Sequence, residues 1–167
     1  NFKENRDMEV FCTVQVEEAL HREYQYIFSE DRYPGIPEVN INLIDSEPFV
    51  LPNGLPVIPV EVMHYKMPVL GFRFGDFAYI TDAKTVEDSE IEKLKGVRVL
   101  IVNALRKEPH MSHFNLDEAL EFIAKVQPET AYLTHISHMF GKHAEVEKEL
   151  PENVHLAYDG LQFEAAL

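Results

Sequence analysis

Apolar and polar positions alternate in short stretches along the first third of the chain, and turn residues separate these stretches. Residues 8–13 form a short apolar run that predicts a strand. Apolar residues recur at helical spacing over residues 14–28, with Thr13 in position to cap that helix. Residues 38–45 alternate and predict a half-exposed strand, and the prolines between residues 48 and 59 favour short edge strands.

The remainder of the chain predicts strands that alternate with helices. Strands are predicted at 60–65, 69–74, 77–81, 97–104 and 130–134, and the apolar run 97–104 indicates a strand buried on both faces. Helices are predicted at 87–95, at 116–126 with Asn115 and Glu118 as a capping box, and at 142–150. Gly75-Asp76 and Asp159-Gly160 predict two hairpins, the second between strands 154–158 and 161–164. The pattern therefore predicts an α/β fold with a mixed sheet covered by helices.

Composition narrows the class of protein. A chain of 167 residues with 46% hydrophobic and 26% charged residues is typical of one globular domain, here 1–167. Its net charge of −14 disfavours nucleic acid as a partner. No apolar run reaches the ~18 residues of a membrane span. The single cysteine, Cys12, is expected in the core, and its isolation is typical of a reducing cytoplasm.

Eight histidines direct the search for chemistry toward metal binding. His64, Asp82 and His135 each stand at the end of a predicted strand. Imidazole and carboxylate together suit Zn, Mn or Fe. Taken singly, each of these residues is more often a turn residue, a helix cap or a hydrogen-bonded structural residue. Their shared position at strand ends is what favours a metal site.

The other histidines carry weaker signals. His110 and His113 lie in a loop between a buried strand and a capped helix, where a histidine serves as a proton donor, as a phosphate contact, or merely as a polar loop residue. His138 is ambiguous, and His143 is expected on the surface. No Gly-rich phosphate loop is present, so no organic cofactor is expected.

Several segments together resemble a known family. They are Met63–Phe74 with its His64, then Tyr79-Ile80-Thr81-Asp82, Leu133-Thr134-His135-Ile136-Ser137-His138 and Tyr158-Asp159-Gly160. Their order is similar to that of the metallo-β-lactamase superfamily, most closely its phosphoribosyl cyclic phosphate phosphodiesterases, which are related to tRNA 3′-processing ribonucleases. The resemblance is strongest over residues 58–160 and implies an αβ/βα sandwich.

The resemblance also implies roles for individual residues. His64 matches a ligand of a first metal ion, Asp82 a carboxylate that bridges two ions, and His135 a ligand of the second. His113 stands 22 residues before His135 (135 − 113), where the phosphodiesterase branch has an extra histidine that acts as general acid or contacts the leaving group. The implied enzyme holds two divalent ions, Zn or Mn, and hydrolyses a small cyclic or sugar phosphate.

One family motif is absent from the chain. No two histidines are spaced i, i+2, so the family's H-x-H-x-D-H motif does not occur, and the chain starts at Asn1 rather than Met. We therefore expect a C-terminal part of such a protein, inactive alone and inclined to dimerise through exposed sheet surface. The alternatives are a tRNA 3′-processing ribonuclease, a thioester hydrolase of the same superfamily, and a catalytically dead binding module.

Overall fold

The computed structural model of the chain describes residues 6–30 and 34–166. Contacts divide the chain into two compact units, Asn1–Glu47 and Pro48–Leu167. The single domain over 1–167 stays a prediction. Within the described residues, no helix combines the length and the apolar character needed to cross a bilayer.

The first unit is built on a parallel strand pair. Strand β1 (Met8–Cys12) pairs with β2 (Val39–Leu43), and helices α1 (Val14–Glu23) and α2 (Gln25–Phe28) lie in the connection that a parallel pair requires. The prediction of one helix over 14–28 is wrong, because the backbone of Tyr24 leaves the helical region at φ −123° and ψ 42°. The apolar spacing continues through this break and so did not reveal it.

Cys12 ends β1 and is 7% exposed, as expected for a core residue. Burial, with a smaller contribution from the Glu17 carboxylate, raises the pKa of its thiol. A thiol with a raised pKa is a poor nucleophile, so Cys12 has a packing role.

The second unit contains a seven-stranded sheet whose strands are adjacent in chain order. They are β3 (Phe49–Val50), β4 (Pro56–His64), β5 (Met67–Phe74), β6 (Phe77–Ile80), β7 (Val99–Asn103), β8 (Thr130–Thr134) and β9 (Val154–Leu156). Neighbours from β3 to β6 are antiparallel, and those from β6 to β9 are parallel. The predicted α/β class with a mixed sheet is confirmed.

Helices α3 (Asp88–Glu92), α4 (Leu116–Val126) and α5 (His143–Val146) accompany the parallel half of this sheet. The predicted capping box is confirmed: the Asn115 side chain accepts from the Glu118 backbone N–H at 2.9 Å, and the Glu118 side chain accepts from the Asn115 backbone N–H at 2.9 Å. The core lies between α4 and the sheet, and its largest contributors include Ile80, Leu94, Leu100, Val102, Phe122, Ile123 and Leu133.

Three predicted elements in or beside the parallel half of the sheet differ from the structure in extent or burial. Along β7, Leu100 and Val102 are fully buried but Val99 and Ile101 only partly, so the strand is not buried equally on both faces. The predicted helix 142–150 consists of α5 and a 3-10 turn, Glu147–Glu149. The helix predicted over 87–95 is limited to α3.

The second predicted hairpin is wrong. The turn at Asp159-Gly160 exists, but residues 161–166 form no strand. Instead, Phe163 packs its ring against Phe77 at 5.7 Å and against Tyr132 at 5.3 Å, between ring centroids. The segment is therefore held by aromatic side chains rather than by a ladder of backbone hydrogen bonds.

Candidate metal centre

The direction of the strands brings the predicted site residues to one edge of the sheet. His64 is the last residue of β4, Asp82 follows β6, and His135 directly follows β8. Strands β6, β7 and β8 are parallel, and two antiparallel pairings give β4 the direction of β6. The carboxyl ends of all these strands therefore meet at one edge. His113 reaches the same edge from the loop between β7 and α4.

The four side chains converge on one another. Nε2 of His135 lies 3.3 Å from Oδ1 of Asp82, and Nδ1 of His113 lies 3.7 Å from the same oxygen. Nε2 of His64 lies 3.4 Å from Nε2 of His113. Asp82, His113 and His135 each offer one ligand atom within 4.8 Å of the others. The predicted convergence is observed, while the role of each residue stays a prediction.

Two site residues have an unusual backbone. Asp82 and His135 both adopt left-handed conformations, with φ of 62° and 58°. Such a conformation is uncommon outside glycine, is stabilised only by the surrounding structure, and clusters at functional sites. The sequence pattern that places Asp82 and His135 at strand ends does not reveal their left-handed backbone.

Two buried polar atoms at the centre make no hydrogen bond to the described residues. Oδ1 of Asp82 and Nδ1 of His113 are buried and make no hydrogen bond. The Asp82 side chain as a whole is 46% exposed, although its Oδ1 is buried beside the histidines. A divalent cation among these atoms would satisfy both orphaned groups, since carboxylate and imidazole are its usual ligands. The residues present fit a metal ion.

The surroundings of His113 favour the neutral form of its imidazole ring. Burial, first, and then the neighbouring imidazoles of His135 and His64 lower the pKa of His113, while Asp82 opposes this shift. A lowered pKa favours the neutral imidazole at neutral pH, and the neutral ring carries the lone pair that a metal ion needs.

Three further histidines lie close to site residues in the sequence. His110 lies beside the centre, with its ring stacked on His113 at 5.2 Å and its Nδ1 3.3 Å from the Ser112 hydroxyl. His138 and His143 are exposed. His143 is therefore on the surface, as predicted.

The comparisons with known proteins place this fold in a family. A family model described as the Beta-lactamase superfamily domain matches residues 2–136, which is most of the chain. The crystal structure of a diphosphatase from the PhnP family is 32% identical with a TM-score of 0.88, covering 98% of this chain and 61% of that one. Zinc-bound PqqB from Methylobacterium extorquens, 15% identical over 98% of this chain and 67% of its own, has a TM-score of 0.73 and shows the fold alone.

A curated relative is longer than the part that matches. An octanoyltransferase of Porphyromonas gingivalis is 32% identical over 160 residues, which cover 95% of this chain but 32% of that protein. The chain thus spans about a third of this relative and about three-fifths of the diphosphatase. The chain belongs to the metallo-β-lactamase superfamily.

Proposed function

We propose that the protein containing this chain is a metal-dependent hydrolase that cleaves a phosphodiester in a small cyclic or sugar phosphate. The observation that carries the proposal is the group of Asp82, His113 and His135, with two buried polar atoms that lack a partner. Membership of a superfamily of metal-dependent hydrolases supports the same reading. Fold alone does not determine function, so the site has to carry the argument.

Divalent ions, Zn²⁺ or Mn²⁺, would be held by Asp82 and His135 on one side and by His64 on the other. An ion bound there supplies positive charge that polarises a phosphoryl oxygen and makes water more acidic. Asp82 is suited to bridge two ions, because one of its oxygens faces the histidines while its side chain is 46% exposed.

His113 would take a proton from the attacking water and pass it to the leaving-group oxygen, because its lowered pKa favours the neutral ring, which accepts a proton first. Its ring lies between His64 and Asp82, with Nε2 3.4 Å from Nε2 of His64 and Nδ1 3.7 Å from Oδ1 of Asp82. Its side chain is only 13% exposed, which shields the ring from bulk water and fixes its orientation. A positioned imidazole of this kind typically contributes ~10²–10⁴-fold to a rate.

The net charge of −14 favours a small substrate over RNA. A ribonuclease needs basic surface to neutralise phosphates along the strand, and no basic segment occurs in the sequence. The diphosphatase relative at 32% identity supports phosphoryl chemistry and makes a diphosphate the second candidate substrate.

The test measures metal content and hydrolysis in a protein that contains this chain and also the metal ligands that the chain lacks. The wild type is compared with two variants. Two substrates are offered, bis-p-nitrophenyl phosphate and a nucleoside diphosphate. We expect the Asp82→Asn variant to lose most of its metal and its activity on the phosphodiester. Asp88→Asn is the matched control, because Asp88 is an exposed carboxylate on α3 that pairs only loosely with Lys125, at 3.8 Å.

Each outcome decides between named alternatives. Full activity in Asp82→Asn contradicts the proposed site. Cleavage of the diphosphate but not of the phosphodiester replaces the proposed substrate with the second candidate. Stoichiometric metal without hydrolysis of either substrate indicates the binding module.

A further inference from the structure

Asn103 is a polar side chain enclosed in the core. It is the last residue of β7 and is 0% exposed, and Asn115 is the other buried polar residue within the described ranges. A buried amide is stable only when its donor and acceptor are both paired. The partners of Asn103 therefore show what the side chain does.

Both hydrogen bonds of the Asn103 side chain go to one residue, Ala83. Its Oδ1 accepts from the Ala83 backbone N–H at 2.7 Å, and its Nδ2 donates to the Ala83 carbonyl at 2.9 Å. Ala83 is itself fully buried and directly follows Asp82. Two bonds from one rigid amide fix the position and also the orientation of the peptide that follows the left-handed Asp82.

The same short segment holds the backbone next to two other site residues. The Ala83 carbonyl also accepts from the N–H of Phe114, at 2.8 Å, and Phe114 follows His113. The Lys84 N–H donates to the Met63 carbonyl at 2.8 Å, and Met63 precedes His64. The segment 82–85 is thus the common attachment of three of the four site residues.

The fourth site residue is tied to the same end of β7. The N–H of Ala104, next to Asn103, donates to the carbonyl of Thr134 at 2.9 Å, and Thr134 precedes His135. Asn103 pairs with Thr134 in the sheet register. The Asn103 side chain therefore links the segment that carries Asp82 to the strands that carry His135, beyond the point where the β6–β7 pairing ends.

We propose that Asn103 is a positioning residue that sets the distances among His64, Asp82, His113 and His135. It touches neither metal nor substrate and acts through the Ala83 peptide. The effect of these distances on catalysis rests on the proposed function. The distances themselves do not, because they are a property of the chain. A failure of the proposed hydrolase activity would leave them unchanged.

The test measures these distances by NMR in the 167-residue chain, without metal. In the wild type we expect ring-to-ring contacts of His113 with His64 and with His135, whose centroids lie 4.6 Å and 4.7 Å away. Asn103→Leu keeps the branched shape of the side chain with a larger volume and removes both hydrogen bonds. We expect it to weaken or abolish these contacts and to speed exchange of the Ala83 amide about tenfold.

Val126→Ala is the matched control, because Val126 is 2% exposed at the far end of α4 and its truncation also destabilises the core. We expect Val126→Ala to retain the ring contacts of His113 even where its melting temperature falls as much as that of Asn103→Leu. Contacts of wild-type intensity in folded Asn103→Leu would overturn the proposal.

A second variant and a measurement on the wild type cover the case in which Asn103→Leu does not fold. Asn103→Thr retains a strand-compatible side chain and an acceptor for the Ala83 N–H, and we expect weaker but detectable disruption. In the wild type, the Asn103 carboxamide protons should exchange as slowly as the amides of β7. Exchange at the rate of an exposed carboxamide would overturn the proposal without any variant.

Discussion

At the scale of single residues, Asp82 combines a left-handed backbone with a half-exposed carboxylate of which one oxygen is buried. Its φ of 62° places it in a region that non-glycine residues rarely occupy, and Oδ1 is buried without a partner. His135 shares the left-handed backbone, with φ of 58°. Two such residues 3.3 Å apart, between Nε2 and Oδ1, indicate that the surrounding chain forces this arrangement.

The role assigned to His113 gives the first prediction. In the protein with its complete ligand set, we expect His113→Ala to lower turnover ~10²–10⁴-fold because a positioned proton donor is lost. Metal content should fall far less. Phosphodiester kinetics measured beside elemental analysis check this, with His143→Ala as the control because His143 is exposed at the start of α5. Parallel loss of metal and activity would make His113 a ligand instead.

At the scale of elements, close approach of two strands restricts one position of β5. A Cβ added at Gly71 would lie 2.5 Å from Cδ1 of Ile80 and 3.0 Å from the backbone oxygen of Tyr79. The first contact is shorter than any stable one, so β5 and β6 can pair this closely only because Gly71 has no side chain.

The second prediction uses this contact. We expect Gly71→Ala to destabilise the fold by ~1–3 kcal/mol through overpacking, as measured by denaturant unfolding. Ile80→Val removes the Cδ1 atom that causes the clash, so the double variant should regain part of the loss. Strict additivity of the two changes would show that this contact is not the cause.

The 3-10 turn after α5 is attached to β9 by one carboxylate. Glu147 accepts from the Leu156 N–H at 2.7 Å and pairs with Nδ1 of His155 at 2.9 Å. Burial acts to raise the pKa of Glu147, but the bonds from Leu156 and His155 outweigh it, so the pKa is lowered. His155 thus has a structural role in this attachment.

The third prediction concerns the pH dependence of that attachment. A carboxylate with a lowered pKa in the folded state stabilises the fold above its unfolded pKa and loses this effect as pH falls through the folded value. We therefore expect Glu147→Gln to cost ~1 kcal/mol at neutral pH and progressively less below about pH 4.5. Urea unfolding across pH checks this against Glu145→Gln, an exposed neighbour; a pH-independent difference would contradict it.

At the scale of the whole molecule, elements encoded locally were predictable and those set by tertiary contacts were not. The hairpin at Gly75-Asp76 and the cap at Asn115 depend on neighbouring residues, so the sequence pattern predicted them. The segment 161–166 depends on aromatic contacts of Phe163 with distant strands, which no local pattern reveals. The turn at Asp159-Gly160 forms as predicted, but tertiary contacts rather than the turn determine the structure of the segment that follows it.

The candidate site shows the same division. Strand-end positions of His64, Asp82 and His135 followed from periodicity, and parallel direction then brought them together. The pairing of Asn103 with Ala83 could not be predicted, because it joins residues 20 positions apart through a side chain within an apolar run. An asparagine at the end of a buried strand was the one available signal.

The last prediction concerns the 167-residue chain by itself. A catalytic ion needs about three protein ligands, so two ions need about twice that number. The described residues bring together one group of three, with His64 beside it, and the sequence contains no H-x-H-x-D-H motif. We expect weak binding of Zn²⁺ and Mn²⁺ and no hydrolysis of bis-p-nitrophenyl phosphate.

Calorimetric titration with each ion, followed by the hydrolysis assay, checks this expectation. Asp82→Asn in the same chain separates weak binding at the centre from adventitious binding elsewhere, because only the former should decrease. Binding of two ions per chain together with turnover would contradict the prediction. That result would mean that side chains other than His64, Asp82, His113 and His135 complete the ligand set, for example His110, whose ring stacks on that of His113.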